Sequence, residues 1–278
     1  MKFSIIVVAL NPGEKLRQTV ESVLSQTYND YEIVVKDGGS CDNSLKTLPE
    51  DERIRLFVEP DKSIYDAMNQ AVGKVQGEYI LFLNCGDVFY DEKVLERAAL
   101  RVEKEEGDAP LVLYGDTYGA KNDVLIASPR KIDGFACYRN IPCHQSCFYA
   151  AKLCREKPYN PEYRIRADYD HFLWCFYRAG AKMVYLDSTV SSYEGGGYSE
   201  SRENRRRDME EHRIITEEYM TSEELAGYRR TMLLTLAPVR SFLAENRMTS
   251  GIYHWIKDCF YHHRLRILVG LVLLVSGL

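Results

Sequence analysis

The first hundred residues alternate between strand-like and helix-like segments, and this order constrains the fold more than any other feature of the chain. Residues 3–10 (FSIIVVAL) form a continuous apolar run rich in β-branched side chains, which predicts a strand buried on both faces. The turn sequence at 11–13 (NPG) follows, and apolar residues then recur at helical spacing over 16–24. A strand at 54–59 and a helix at 64–75 continue the pattern. Parallel strands need such crossover helices, so the sequence predicts a doubly wound α/β fold.

Three successive predicted strands end in acidic or amide residues. The strand at 31–36 (YEIVVK) runs into Asp37, the strand at 54–59 ends at Glu59, and the strand at 79–83 (YILFL) runs into Asn84 and Asp87. In open parallel sheets, ligands bind outside the carboxyl ends of the strands. The sequence therefore predicts a ligand site at this edge of the sheet.

The second half of the chain has a looser pattern, from which we expect a second substrate pocket. Short strands are predicted at 111–114 and 182–186. Between them, residues 169–179 form an apolar segment of helical length, with Asp168 and Asp170 at its entrance. Carboxylates there suit the positive end of a helix dipole, so this acidic pair has both a structural and a catalytic interpretation.

Composition excludes several classes of protein. The chain has 278 residues, of which 45% are hydrophobic and 28% charged, and this balance predicts a packed globular fold rather than disorder. The formal net charge of -5 argues against a nucleic-acid partner. The eight cysteines are dispersed, without a paired CxxC arrangement, and the N-terminus lacks the layout of a cleavable signal. We therefore expect reduced thiols and a cytoplasmic protein.

The C-terminal part of the chain is charged and helical in composition until an apolar tail at 265–278. We expect an α/β domain over 1–200, with a donor half (1–100) and an acceptor half (101–200), followed by a helical extension over 201–278. The tail is shorter than the roughly 20 residues that a membrane span needs. A docked helix, a membrane-surface anchor and part of a true span remain open, and the flanking basic residues favour membrane contact. We expect a peripheral protein at the inner face of the cell membrane.

Four motifs in this order resemble the family-2 glycosyltransferases, the large inverting group with the GT-A fold, including bacterial enzymes that build capsule, O-antigen and colanic-acid-type polysaccharides. The motifs are VVALNPGEKLRQTVESVLSQTYNDYEIVVKDGGSCDNS, EPDKSIYDAMNQAV, GEYILFLNCGDVF and the distant ADYD. The resemblance covers about residues 1–200. It implies a Rossmann-like, mostly parallel central sheet flanked by helices, and a metal-dependent, inverting, hexosyltransferase-type enzyme that uses a nucleoside-diphosphate sugar.

The resemblance also implies which residues bind the donor. Asp37 would hydrogen-bond the nucleobase and Asn11 would lie near the nucleoside. Relatives commonly carry two adjacent carboxylates after the fourth strand, whereas this chain has Gly86 and Asp87. Asp87 would thus hold the metal without a neighbouring acid. The full set of implied donor-binding residues is Asn11, Asp37, Asp61, Asp66, Asn69, Asn84 and Asp87.

The same resemblance implies a catalytic base and a mobile loop. Asp168 matches the family's general base, and Ala167 stands where relatives commonly carry a preceding glutamate. The GGGYS stretch at 195–199 is similar to a loop that flexes over the bound donor in capsule-type members. The candidates for acceptor or loop contacts are His144, Asp170, Gly196 and Ser199.

The chemistry of sugar transfer explains why such residues would need a metal. A carboxylate 4 Å from a phosphate charge repels it by about 4 kcal/mol at an effective dielectric near 20. A divalent cation at Asp87 turns this repulsion into attraction, and hard oxygen ligands select Mn²⁺ or Mg²⁺. Partial burial of Asp168 would raise its pKa towards the working pH and suit it to remove the acceptor's proton. The expected partners are a nucleoside-diphosphate sugar, with a UDP-sugar favoured, and a glycan or lipid-linked saccharide acceptor.

Simpler interpretations of these residues stay open. Asp37 and Asn11 could only stabilise turns, and Asp87 could cap the turn after its strand. Asp168 and Asp170 could be an N-cap and a first-turn acid of a helix. Two other functions also stay open. A non-catalytic nucleotide-sugar-binding protein is consistent with the missing carboxylate, and a sugar nucleotidyltransferase would share the doubly wound architecture.

Overall fold

The fold was examined in a computed structural model, which describes residues 1–139, 141–195, 204–234, 249 and 251–252. The chain divides into two compact units, Met1–Ile215 and Thr216–Leu278. Gly196, Ser199 and the apolar tail at 265–278 lie outside the described residues, so the expectations for them stay predictions. The domain boundary expected near residue 200 also stays a prediction.

The first half of the sheet is parallel, as predicted. Its strands lie side by side in the order β3-β2-β1-β4, and each neighbouring pair is parallel. Every residue of β1 and β2 is buried, because helices cover both faces of a doubly wound sheet. The elements of this half are β1 (Phe3–Ala9), α1 (Lys15–Leu24), β2 (Tyr31–Asp37), β3 (Ile54–Val58), α2 (Ile64–Val72) and β4 (Tyr79–Phe82).

The second half of the sheet is mixed, so "mostly parallel" describes only the first half. Beyond β4, the sheet continues in the order β8-β6-β9-β5, and β7 pairs with β6. Strand β8 is antiparallel to both β4 and β6, whereas β9 is parallel to β6. The strands are β5 (Val88–Phe89), β6 (Leu111–Gly119), β7 (Val124–Ile126), β8 (Cys147–Ala150) and β9 (Lys182–Tyr193). The helices are α3 (Val94–Glu103), α4 (Gly134–Arg139), α5 (Ala151–Glu156) and α6 (Ala167–Tyr177).

Strands β6 and β9 are longer than the apolar runs that predicted them, because their extensions are polar and pair with each other. The register between them shifts around Asp116. A side chain at the neighbouring Gly115 would place its Cβ 2.4 Å from the Ser188 carbonyl oxygen, so the two backbones meet closely only because this residue is glycine. Asp116 is buried there, and it accepts hydrogen bonds from the Ser128 N–H at 2.8 Å and the Tyr185 hydroxyl at 3.0 Å.

The charged region at 204–234 is mostly helical, as its composition predicted. It contains α7 (Arg205–Tyr219) and α8 (Ser222–Leu234). At the start of α8, the Thr221 hydroxyl accepts the Glu224 N–H at 3.2 Å and the Glu224 carboxylate accepts the Thr221 N–H at 2.8 Å, which is a reciprocal capping box. None of the helices in the described ranges combines the length and apolarity that crossing a bilayer requires.

Helix α6 is buried along most of its length and carries two polar side chains into the protein interior. Asp170 and His171 are each 1% exposed. Asp170 pairs with the Lys157 ammonium at 2.7 Å, and His171 Nδ1 donates to the Lys157 carbonyl oxygen at 2.8 Å. Burial lowers the pKa of His171 to about 4, because the core disfavours the charged imidazolium.

We predict that His171 makes the protein less stable in mild acid. An unfolded histidine has a pKa near 6.5, so below that pH the unfolded chain takes up a proton that folded His171 refuses until about pH 4. Between pH 7 and pH 4.5 this difference removes about 2 to 3 kcal/mol from the free energy of unfolding. The variant His171→Asn does not titrate but can keep a donor near the Lys157 carbonyl, so its loss over this range should be smaller by that amount. Urea denaturation at the two pH values measures the difference, and equal losses in both proteins would contradict the prediction.

Candidate active site

A cavity of about 300 Å³ lies where the carboxyl end of β4 faces the start of α6. Four of the residues singled out in the sequence line it, namely Asn84, Asp87, His144 and Asp168. Two parts of the chain that are some eighty residues apart in sequence therefore contribute to one site. The cavity lies at the carboxyl edge of the sheet, where the ligand site is predicted.

Asp87 is held in the cavity wall by hydrogen bonds to both carboxylate oxygens. Its side chain accepts the Glu194 N–H at 3.1 Å and the Gln145 amide at 3.3 Å, and the residue is only 5% exposed. Burial raises the pKa of Asp87 to about 6, although the hydrogen bond from the Glu194 backbone opposes the rise. A cation beside this carboxylate would favour its ionised form.

Asn84 also lines this part of the cavity. Its backbone carbonyl accepts the Asp87 N–H at 2.9 Å, and its Nδ2 lies 3.1 Å from His144 Nε2. Its Oδ1 atom is buried without a hydrogen-bond partner. A carboxylate and an unpartnered amide oxygen are ligands that Mg²⁺ and Mn²⁺ accept. Within the described ranges no set of three or more His, Cys, Asp or Glu side chains is arranged to hold a metal.

Asp168 lies in the first turn of α6 and contacts three donor groups, one of which, the Tyr65 hydroxyl, shares its proton with the Ile165 carbonyl oxygen at 2.6 Å. His144 Nδ1 is 3.3 Å from its Oδ2, and the Tyr65 hydroxyl and the Tyr169 N–H lie 3.1 Å and 3.0 Å from its Oδ1. Burial acts to raise the pKa of Asp168, but His144 and the other donors outweigh it, so the pKa lies below its ordinary value. The prediction of a raised pKa is therefore wrong, because it counted burial without the partners that stabilise the carboxylate.

Asp168 and Asp170 lie in the first turn of α6, as the helix-terminus alternative expects, although the N-cap residue itself is Arg166. The backbone N–H groups just before α6 donate to Glu211 in α7, a residue that is 6% exposed. Glu211 accepts from three consecutive residues, Arg164, Ile165 and Arg166, at distances of 2.9, 3.0 and 2.9 Å. Asp168 both lies in the first turn of α6 and lines the cavity, so its catalytic role stays a prediction.

His144 connects the two acidic parts of the site. A neutral ring with its proton on Nδ1 satisfies both contacts, donating to Asp168 at 3.3 Å and accepting from Asn84 at 3.1 Å. Both ring nitrogens are thus engaged within the protein. The structure brings His144 into the site as expected, while its predicted contact with an acceptor stays a prediction.

Six other predicted residues do not line the cavity, namely Asn11, Asp37, Asp61, Asp66, Asn69 and Asp170. Asp66 accepts the Lys62 N–H at 2.8 Å near the start of α2. The Asn69 side chain donates to the Tyr159 carbonyl oxygen at 2.8 Å and accepts the Tyr159 N–H at 2.9 Å. Asp170 is occupied by its buried ion pair in α6. These polar groups are used in structural contacts, so donor or acceptor roles for them stay predictions.

The turns after β1 and β2 pack against each other through Asn11 and Asp37. Asp37 is fully buried, and its Oδ1 accepts the Gly39 and Ser40 N–H groups at 2.8 and 2.7 Å. Asn11, with a φ of 48°, accepts the Cys41 N–H at 2.9 Å. These are the hydrogen bonds of the turn-stabilising alternative, and a direct contact of either residue with a nucleoside stays a prediction.

Asp61 is fixed beside the same turn by a buried lysine that the sequence did not single out. Lys36 is 1% exposed, and its ammonium donates to the Asp61 carboxylate at 2.9 Å and to the Glu59 carbonyl at 2.6 Å. A Cβ at Gly38 would stand 2.6 Å from an Asp61 oxygen. The close approach of this carboxylate to the turn therefore requires glycine, and the buried charge is fully paired.

Two further cavity residues were also missed from the sequence. Tyr65 lies on α2, and nothing in the sequence distinguishes it, because an aromatic residue at helical spacing predicts a core position. Glu194 begins the glycine-rich stretch after β9, and its Oε2 pairs with the Lys15 ammonium at 2.6 Å. An acidic residue before a run of glycines was the one available signal.

Comparison with known proteins connects this site to a family. Residues 4–149, more than half of the chain, match the model of "Glycosyl transferase family 2". A PGL/p-HBAD biosynthesis glycosyltransferase of Mycobacterium tuberculosis is 35% identical over 205 residues, which cover 71% of this chain and 78% of that protein.

Solved structures show the same fold at low sequence identity. TarS 1-349 of S. aureus aligns with a TM-score of 0.63 and 17% identity, covering 92% of this chain and 78% of its own. The mannosyltransferase PcManGT of Pyrobaculum calidifontis aligns with a TM-score of 0.63 and 12% identity, covering 99% and 85%. These matches confirm the predicted GT-A fold. The family match favours glycosyl transfer over the nucleotidyltransferase and the non-catalytic alternatives, and the chain is a glycosyltransferase that belongs to glycosyl transferase family 2.

Proposed function

We propose that this chain transfers a sugar, with inversion, from a nucleoside-diphosphate sugar to a hydroxyl of a glycan or a lipid-linked saccharide. The observation that carries the proposal is the shared cavity, in which His144 and Asn84 connect the Asp168 carboxylate with the turn that carries Asp87. One carboxylate there can accept a proton while the other holds a cation. Both functions are needed for sugar transfer at neutral pH.

The related proteins support this choice of donor. TarS 1-349 has been solved with UDP and with UDP-GlcNAc, and PcManGT with GDP-Man and Mn²⁺. We favour a UDP-sugar for this chain. The mycobacterial relatives are named for PGL/p-HBAD biosynthesis, which supports a role in building a glycan or glycolipid.

The residues present fit Mn²⁺ or Mg²⁺. Asp87 and the unpartnered Oδ1 of Asn84 would hold the ion, and the donor's phosphates would complete its coordination, as is usual for magnesium bound by few protein ligands. When bound, such an ion neutralises the charge that develops on the departing diphosphate.

Asp168 is the general base of this proposal. Its low pKa keeps it ionised at neutral pH, and the donors around it fix its position in the cavity. As the acceptor oxygen bonds to the anomeric carbon, its proton moves to the Asp168 carboxylate, and the electron pair of the breaking bond leaves with the diphosphate. A single displacement on the face opposite the leaving group inverts the anomeric centre.

A membrane location completes the proposal. A lipid-linked acceptor would lie at the inner face of the cell membrane, and the apolar tail at 265–278 with its basic neighbours would contact that surface. A truncation before residue 265, compared with the full chain in liposome co-sedimentation, tests this contact.

The first prediction of this proposal concerns Asp168 as the general base. Asp168→Asn should lower kcat by about 100- to 10,000-fold, because the amide cannot take the acceptor's proton, while the affinity for UDP stays near that of the wild type. Steady-state kinetics and calorimetric titration with UDP in Mn²⁺ measure the two effects. Asp91→Asn, on the surface in an ion pair with Arg97, makes the same chemical change away from the cavity and should leave both values unchanged. Wild-type turnover in Asp168→Asn would remove this residue from the mechanism.

The second prediction concerns the pH dependence of kcat. His144 contributes the largest effect that lowers the pKa of Asp168, and Tyr65 a smaller one. In His144→Phe burial remains while that effect is lost, so the pKa should rise and kcat should fall as the pH drops from 7 to 5. Tyr65→Phe should shift the profile in the same direction by less. The measurement is the pH profile of kcat at saturating donor, acceptor and Mn²⁺. A profile in His144→Phe that matches the wild type would refute the role of His144 in lowering the pKa of Asp168.

A further inference from the structure

We propose that the Glu194 carboxylate is the second acidic ligand of the cation at Asp87, and that Lys15 is the counter-ion that holds Glu194 in place until the cation arrives. This inference rests on the proposed function and deepens it. It supplies the carboxylate that the sequence lacks beside Asp87, from a part of the chain more than a hundred residues away.

The first observation is the space around Gly86. This residue has a φ of 104°, and a Cβ built on it would stand 2.4 Å from Glu194 Oε2. A side chain at residue 86 would therefore displace the glutamate carboxylate from its present position. The cavity wall has an acidic group next to Asp87 after all, although the sequence places it directly after β9.

The second observation is the direct bond between Glu194 and Asp87. The Glu194 N–H donates to Asp87 Oδ1 at 3.1 Å, which fixes the glutamate backbone against the Asp87 side chain. Both residues line the cavity together with Asn84, whose buried Oδ1 has no partner. Two carboxylates and an unsatisfied amide oxygen are the hard donors that Mn²⁺ and Mg²⁺ prefer.

The third observation is the ion pair with Lys15. The ammonium lies 2.6 Å from Glu194 Oε2, and the two side chains are 49% and 47% exposed. An ion pair this exposed is weak, so a divalent cation shared by two carboxylates can replace it. The ammonium is then released next to the site at which the diphosphate charge has to be neutralised.

The experiment is a calorimetric titration of the full-length protein with MnCl₂, with and without UDP. Glu194→Gln should weaken Mn²⁺ binding by about 10- to 100-fold, as loss of groups around a metal commonly does. Glu194→Asp keeps the charge at a shorter reach and should give an intermediate affinity. Lys15→Met should bind Mn²⁺ more tightly than the wild type when UDP is absent, because no ammonium competes for the carboxylate.

The control is Glu78→Gln, which removes a similar surface ion pair at the other end of β4, where Lys2 Nζ lies 2.8 Å from the carboxylate. It should bind Mn²⁺ as the wild type does. Circular dichroism melting confirms that each variant is folded. Equal affinity in Glu194→Gln and the wild type overturns this inference and leaves the proposed function standing, whereas a wild type that binds no Mn²⁺ even with UDP overturns the metal role of Asp87 itself. Unchanged or weaker binding in Lys15→Met overturns the counter-ion role.

Discussion

His144 lies between the two chemical parts of the cavity and is hydrogen-bonded to both. Its Nδ1 is 3.3 Å from the Asp168 carboxylate and its Nε2 is 3.1 Å from Asn84, which in turn accepts the Asp87 N–H through its backbone. The proposed proton acceptor and the proposed cation site are therefore joined by three contacts.

Two glycines at the carboxyl edge of the sheet allow carboxylates from other segments to come close to the backbone. At Gly86 the backbone leaves room for the Glu194 carboxylate, and at Gly38 it leaves room for Asp61. In both places an acidic side chain from another segment lies where a Cβ would otherwise stand. The chain thus brings carboxylates to the sheet edge from a distance, rather than placing them in adjacent positions of one motif. Each of these acids is also paired with a lysine, Lys15 or Lys36, which limits the repulsion between them.

The parts of the fold that could be predicted are those with a local signal. The strands and helices of the first half follow from continuous apolar runs and helical spacing, because a doubly wound sheet buries its strands on both faces. The second half was less predictable, since β6 and β9 extend through polar residues such as Asp116 that become buried only by pairing with each other. The pKa of Asp168 was predicted in the wrong direction, because the side chains that lower it, Tyr65 and His144, are distant from Asp168 in the chain.

The sequence by itself determined the parallel half of the sheet, because apolar periodicity is a local property. It also predicted a site at the carboxyl edge of that sheet, and the resemblance of its motifs predicted Asp87 and Asp168 as the acids of that site. Only the tertiary structure decided in which direction the pKa values of those acids shift and which groups lie beside them. Burial and hydrogen bonding depend on which distant groups come within about 3 Å, a separation over which direct hydrogen bonds act. For that reason the pairing of His144 with Asp168, the turn-bound state of Asp37 and the presence of Glu194 beside Gly86 emerged from the fold.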